Sequence, residues 1–239
     1  MAGLLLTAVA VVICSGPVSA SDGSCLLVRA GAMYRQRVDL NKARQAVDLF
    51  RRAAAADASG YEASWKLARS LCWVIEHGPR EGRTALAEEA VAAAQKAVAI
   101  KPDSPAGHFW LGIAYGYLGD ARGVLKSLSL INPIMEEMKK VIELDPGHEG
   151  GGGYMAIGRL YHLLPGNNSQ AIKYLETALK YGPRRWVNHL YLAEVYLDEG
   201  RKEEARGLLR LIVAGPAEPG LEPEYAEFKT QAEELLKTF

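Results

Sequence analysis

A chain of 239 residues with 28 Lys and Arg against 28 Asp and Glu carries no formal net charge. That excludes the cationic footprint of a nucleic-acid binder and any general attraction to anionic lipid. With 49% hydrophobic residues the chain is too apolar for disorder and suits one folded domain, or two at most.

The first twenty residues read differently from the rest. Met1 to Ala20 carry no charged side chain and run from Leu4 to Ile13 through an apolar stretch. Gly16-Pro17 breaks that stretch, and Val18-Ser19-Ala20 supplies small residues for a signal peptidase. The pattern predicts a signal peptide over 1–20, cleaved after Ala20, although no Lys or Arg precedes the apolar run. The run is shorter than the roughly 20 residues of a membrane span, and no other segment is a transmembrane candidate. Cys14 falls within the predicted signal peptide, leaving Cys25 and Cys72. An oxidising compartment permits a disulfide between them. Cys72, between Leu71 and Trp73, reads instead as a small buried hydrophobe. A lipid anchor at Cys25 is a weak reading, because Asp22 stands where a leucine belongs.

Four segments further on share one spacing of +4, +3 and +5. They are Ala46, Phe50, Ala53, Ala58; Ala90, Ala94, Ala97, Pro102; Ile134, Met138, Val141, Pro146; and Ala171, Leu175, Ala178, Pro183. A fifth, Ala205, Leu209, Ile212, has its proline one residue early at Pro216. The first two steps place these residues on one helix face, and the closing proline forces a turn. A second pattern follows each stop: Ser64, Leu67-Ala68, Leu71; His108, Leu111-Gly112, Tyr115; and His189, Leu192-Ala193, Tyr196. The third copy is displaced by two residues, as Ile157-Gly158 and Tyr161. The small residue lets two helices approach closely, and the side chain a turn later fills the space beside it.

These units resemble the helix–turn–helix of the tetratricopeptide repeat across roughly residues 40–215. The resemblance implies an all-α fold, a right-handed α-solenoid of about five helix pairs over 21–215. Pro216, Pro219 and Pro223 then mark a linker, and Tyr225, Phe228, Ala232 and Leu235 form a helical stripe. Together they predict a linker and C-terminal capping helix over 216–239. The anchors Ala46, Ala90, Ile134, Ala171 and Ala205 are 44, 44, 37 and 34 residues apart. The long early units place inserts between the helices of a pair, one at His77 to Gly82, the other from Gly119 to Pro133. In the second, Asn132 and Pro133 read as an N-cap and first-turn proline.

The stretch His108-Phe109-Trp110-Leu111-Gly112-Ile113-Ala114-Tyr115-Gly116, with Ile142 to Pro146 and Asn188-His189, also resembles the T component of tripartite ATP-independent periplasmic (TRAP) transporters. It is similar as well to the regulator of microtubule dynamics family, which shares the long early repeats. The signal peptide favours the periplasmic relative. That resemblance implies an exported, periplasmic scaffold that associates into a ring and partners a periplasmic substrate-binding protein. An assembly or quality-control factor for cell-envelope proteins is the alternative.

No chemistry-bearing motif emerges. His77, His108, His148, His162 and His189 lack metal-ligand spacing, so no metal and no cofactor is expected. His108 and His189 share a repeat position, which favours packing. Gly150 to Gly153 lack the ending of a phosphate loop and read as a flexible inter-repeat joint. The first helix of each pair should line a concave face. Its inward positions are Trp65, Arg69 and Trp73; Phe109, Ile113 and Tyr117; Arg159 and His162; and Leu190 and Glu194. This row, aromatic at one end and polar at the other, suits an extended peptide or a small apolar ligand. Aromatics at helical spacing otherwise belong to the core.

Overall fold

The computed structural model describes residues 23–57, 60–123 and 127–239, so the signal-peptide segment and Ala58 lie outside the described residues. Among the described residues the chain forms eleven α-helices and no strand. They are α1 (Gly23–Tyr34), α2 (Leu40–Ala56), α3 (Tyr61–His77), α4 (Arg83–Ile100), α5 (Pro105–Arg122) and α6 (Ile131–Leu144). Then come α7 (Gly152–Leu163), α8 (Asn168–Tyr181), α9 (Trp186–Asp198), α10 (Lys202–Ala214) and α11 (Glu222–Leu236). Each helix packs on the next in sequence, and the odd-numbered ones from α3 onward also touch each other in a row. The architecture is an α-solenoid: five antiparallel pairs and a terminal helix, an inner row of odd helices and an outer row of even ones.

The repeat spacing builds the seams between these helices. Phe50, Met138, Leu175, Leu209 and Ile212 of the outer helices are fully buried, as are Ala90, Ala94 and Ala97. Burying each of the larger side chains contributes about 1.5–3 kcal/mol. Opposite them stand the small residues of the inner helices. A Cβ at Gly158 would come 2.7 Å from Leu175 Cγ, and one at Gly153 2.9 Å from Ile142. The helices end where the prolines require: α4 at Ile100 before Pro102, α6 at Leu144 before Pro146, α8 at Tyr181 before Pro183.

Three expectations need correction. The extra residues of the early units lie only in part between paired helices. Many of them lengthen helices: α3, α4 and α5 have 17, 18 and 18 residues against 13 each in α9 and α10. The second unit keeps a longer connection over 123–130, of which 124–126 lie outside the described residues. His77 is thus the last residue of α3 rather than part of an insert. Asn132 does not cap α6, whose N-cap is Leu130; a 3-10 turn at Leu128–Leu130 feeds the helix, and Pro133 sits in its first turn. The Gly150–Gly153 joint is close-packed rather than loose. Gly151 caps α7 in the left-handed region at φ 78°, and a Cβ on Gly152 would meet Phe109 at 2.7 Å. Cys72 is a free buried thiol, as its place between Leu71 and Trp73 indicated, and the alternative Cys25–Cys72 disulfide is not formed.

The cores of the solenoid ends are distinct. One apolar cluster joins α1 to α5, another joins α8 to α11, and Phe109, Met138, Val141 and Ile157 bridge the middle. The capping stripe behaves as expected of a terminal helix. Tyr225, Phe228, Ala232 and Leu235 all belong to the second cluster, against α9 and α10.

Candidate functional site

The inner row presents residues at a spacing of four, because i and i+4 share a helix face. On α3 the row is Trp65, Arg69, Trp73 and His77. The Arg69 guanidinium lies 4.1 Å from the centre of the Tyr34 ring and 5.2 Å from that of Trp65. Its Nε is buried without a hydrogen-bond partner, and Arg69 forms no ion pair among the described residues. Trp73 is buried, donating its indole N–H to the Arg37 carbonyl at 2.8 Å and stacking on His77 at 3.7 Å.

Arg37, in the turn between α1 and α2, completes this corner. Its guanidinium lies 4.7 Å from the Tyr34 ring centre and 5.0 Å from that of Trp73. It donates through Nε to Glu224 of α11 at 3.1 Å and through Nη2 to the Gly220 carbonyl at 2.8 Å. Beside it, His77 binds the Trp73 carbonyl through Nδ1 and Glu227 of α11 through Nε2, both at 2.8 Å. Both oxygens only accept, so the ring carries a proton on each nitrogen when both bonds are made. Burial pulls the His77 imidazole down, but the Glu227 carboxylate, the Trp73 carbonyl and the Glu76 charge hold it above its ordinary value. The Tyr34 phenol is pushed up to about 12 by burial, with Arg69 and Arg37 opposing. The capping helix therefore reaches back across the inner face to the first repeats.

The middle of the row closes in the same way. Tyr117 of α5 donates to Glu76 of α3 at 2.6 Å. Burial, then the Glu76 charge, raises its phenol well above the usual range. Tyr191 of α9 lies near enough to Glu76 for that charge to raise its phenol too, after burial and against the opposing Arg159. On the polar side, Arg159 pairs with Glu194, sits 4.4 Å from the Tyr191 ring centre, and donates to His162 Nδ1 at 3.1 Å. His162 Nε2 then donates to Asp198 at 2.8 Å.

Of the ten residues placed on the inner face by sequence, Trp65, Arg69, Ile113, Tyr117, Arg159, His162 and Glu194 are half-buried. Trp73, Phe109 and Leu190 are buried and do not present a groove wall. Phe109 packs among Met138, Val141 and Ile157, in space left by Gly152. Leu190 belongs to the C-terminal core and Trp73 to the N-terminal one. The structure brings Trp65 with Arg69, and Arg159 with His162 and Glu194. It adds His77 and Asp198, which continue the same four-residue spacing and were legible in it, and Arg37, Glu224 and Glu227, for which the sequence held no local signal. His108 and His189 are buried packing residues, His108 bridging Glu137 and the Pro102 carbonyl at 2.6 and 2.8 Å. No group of three or more metal-ligating side chains occurs among the described residues, and no helix among them is long and apolar enough to cross a membrane.

Known proteins place this fold. A thermophilic tetratricopeptide-repeat protein of Thermus thermophilus, TTC0263, superposes with a TM-score of 0.65 at 23% identity, over 84% of this chain and 98% of that one. Pseudomonas aeruginosa pilF superposes with a TM-score of 0.55 at 16% identity, over 89% and 92% of the two chains. At such identities the likeness concerns the fold alone. No curated protein matches the sequence. Residues 162–232 match the tetratricopeptide repeat family. Residues 26–150, more than half of the sequence, match the model for regulator of microtubule dynamics protein 1-3, and the chain belongs to that family.

Proposed function

We propose that this chain is an exported, non-enzymatic scaffold whose inner face holds a segment of a partner protein. The repeat fold supports protein–protein interaction in general. The observation that carries the specific reading is Arg69, a guanidinium between two aromatic rings with a buried Nε lacking any acceptor. Arg69 pairs with no carboxylate of the described residues, and the remaining N–H groups of its half-buried guanidinium are the donors open to an oxygen of a bound partner. Export rests on the apolar run and small-residue cleavage site at the N-terminus. The resemblance around His108 to Gly116 supports a finer role as an accessory of a TRAP-type transporter, with a periplasmic substrate-binding protein or a small apolar ligand on the inner face.

A photo-crosslinking amino acid at position 65, with exposed Lys173 on outer helix α8 as the control position, tests this reading in cells. Adducts from position 65 but not 173 are expected, and mass spectrometry identifies the partner as a substrate-binding protein. Equal labelling from both positions, or none from position 65, sinks the inner-face reading. N-terminal sequencing of the purified mature chain tests cleavage after Ala20. The family match carries a second reading, regulation of microtubule dynamics. Co-sedimentation with polymerised tubulin tests it, and absence from the pellet removes it.

A further inference from the structure

The inner face already has an occupant, and its chemistry describes what belongs there. α11 holds two carboxylates one helical turn apart, Glu224 and Glu227, toward Arg37 and His77. The apolar residues of α11 lie elsewhere, packed on α9 and α10. Its link to the first repeats is therefore polar: Arg37 to Glu224 and the Gly220 carbonyl, and His77 to Glu227. A polar link between two apolar-packed bodies is the one a competing ligand can exchange, since the competitor restores each hydrogen bond it breaks.

The charges agree with this division. Residues 29–52 hold seven Arg or Lys against two Asp, whereas residues 218–239 hold six Glu against two Lys. One cation at the corner stays unanswered. Arg69 shares the Tyr34 ring with Arg37, yet no carboxylate of α11 or of any other described residue pairs with it.

We propose that Arg37, His77 and Arg69 form a receptor for an acidic helical segment of the partner protein, and that α11 is its tethered stand-in. The partner places two carboxylates one turn apart on Arg37 and His77, as Glu224 and Glu227 do, and a third on Arg69. That third contact is what α11 lacks and what lets the partner displace it. This inference rests on the scaffold reading above, because it names the chemistry of the segment the inner face holds.

The test uses the full chain carrying E224Q and E227Q, which keeps the shape of α11 and removes its two charges. The probe is a fluorescent, alanine-based helical peptide with Glu at every third and fourth position, compared with its Gln counterpart by anisotropy. The Glu peptide is expected to bind the double variant at least tenfold more tightly than it binds the unaltered chain, and at least tenfold more tightly than the Gln peptide does. Adding R69Q is expected to weaken the Glu peptide several-fold; if R69Q unfolds the chain, R69K, which keeps the charge but loses the planar stack, is expected to give an intermediate affinity. Equal binding of Glu and Gln peptides, equal binding to clasped and unclasped chains, or no effect of either Arg69 variant overturns the proposal. Position-65 adducts that map to a non-acidic partner segment overturn the receptor and leave the scaffold. Glu-peptide binding with no position-65 adducts does the reverse.

Discussion

Arg37 and Glu224 stand 187 positions apart in the sequence and pair in the structure, with the arginine 3% exposed and the glutamate 24% exposed. No other ion pair of the described residues joins the first repeat to the last helix. The solenoid is thereby closed on itself at its inner edge.

Removing Arg37 should therefore destabilise the whole chain. Arg37→Ala leaves Glu224 and the Gly220 carbonyl without their donor and opens space beside Tyr34 and Trp73. We expect a loss of about 3 kcal/mol, the low end for breaking a buried pair, because Glu224 keeps some water. Glu224→Gln should cost about 1–2 kcal/mol, since the amide can still accept. Urea midpoints at constant slope check both values, and the double variant should cost less than the sum of the two.

His77 makes the closure depend on pH. Its value in the folded chain lies above the ordinary 6.5, so the stabilisation is full below that value and is lost as pH rises through the raised one. The charges acting on it are Glu227 of α11 and Glu76 of its own helix, while Arg37 lies over the Trp73 ring and Arg83 donates to the Glu76 and Gly78 carbonyls. His148 and His189, lowered chiefly by burial, run the other way and lose stability as pH falls. The comparison of wild type with His77→Gln removes that background. The wild type should be the more stable chain at about pH 6, and the difference should shrink by about pH 8.5. An unchanged difference would deny His77 this role.

Gly158 and Gly112 occupy the same place in successive repeats, but alanine should not act alike in them. At Gly158 the new methyl meets Leu175 at Cγ, 2.7 Å away, and its backbone nitrogen at 3.2 Å, neither of which can swing aside. At Gly112 the obstacle is the terminal methyl of Met138, at the end of a flexible side chain. Gly158→Ala should cost about 2–3 kcal/mol by overpacking. Gly112→Ala should cost less than about 1.5 kcal/mol, near the limit for tolerated core changes. Thermal midpoints of the two variants rank them.

Cys72 should be inert in the native chain. Burial pushes its thiol far above the usual range, with the Glu76 charge adding, so almost no thiolate forms at neutral pH. Iodoacetamide followed by mass spectrometry should leave Cys72 unmodified in buffer and alkylate it in urea. Rapid native labelling would show that the α3 seam opens.

The repeat was legible in the sequence for a physical reason. In a solenoid each pair touches only its neighbours, so every seam is written locally as small residues and apolar ones at steps of three and four. Ala90 and Ala94, clustered with Leu67 and Leu71, are of this kind, as are the prolines that end α4, α6 and α8. The same locality put Trp65 with Arg69, and Arg159 with Glu194, on one face.

Three-dimensional closure was not written that way. Whether α11 meets α3 depends on the small rotation each pair adds, summed along the row and altered by the four long helices α2, α3, α4 and α5. No spacing encodes that sum. Only the tertiary structure decided that Trp73, at a nominally inward position, is buried beneath Arg37 and His77. It alone decided that Phe109 fills the space beside Gly152, and that the capping helix, besides covering the last repeat, carries Glu224 back to the first repeat and Glu227 to the second. The sequence by itself determined the units and their faces; the accumulated curvature determined which of those faces still meet solvent.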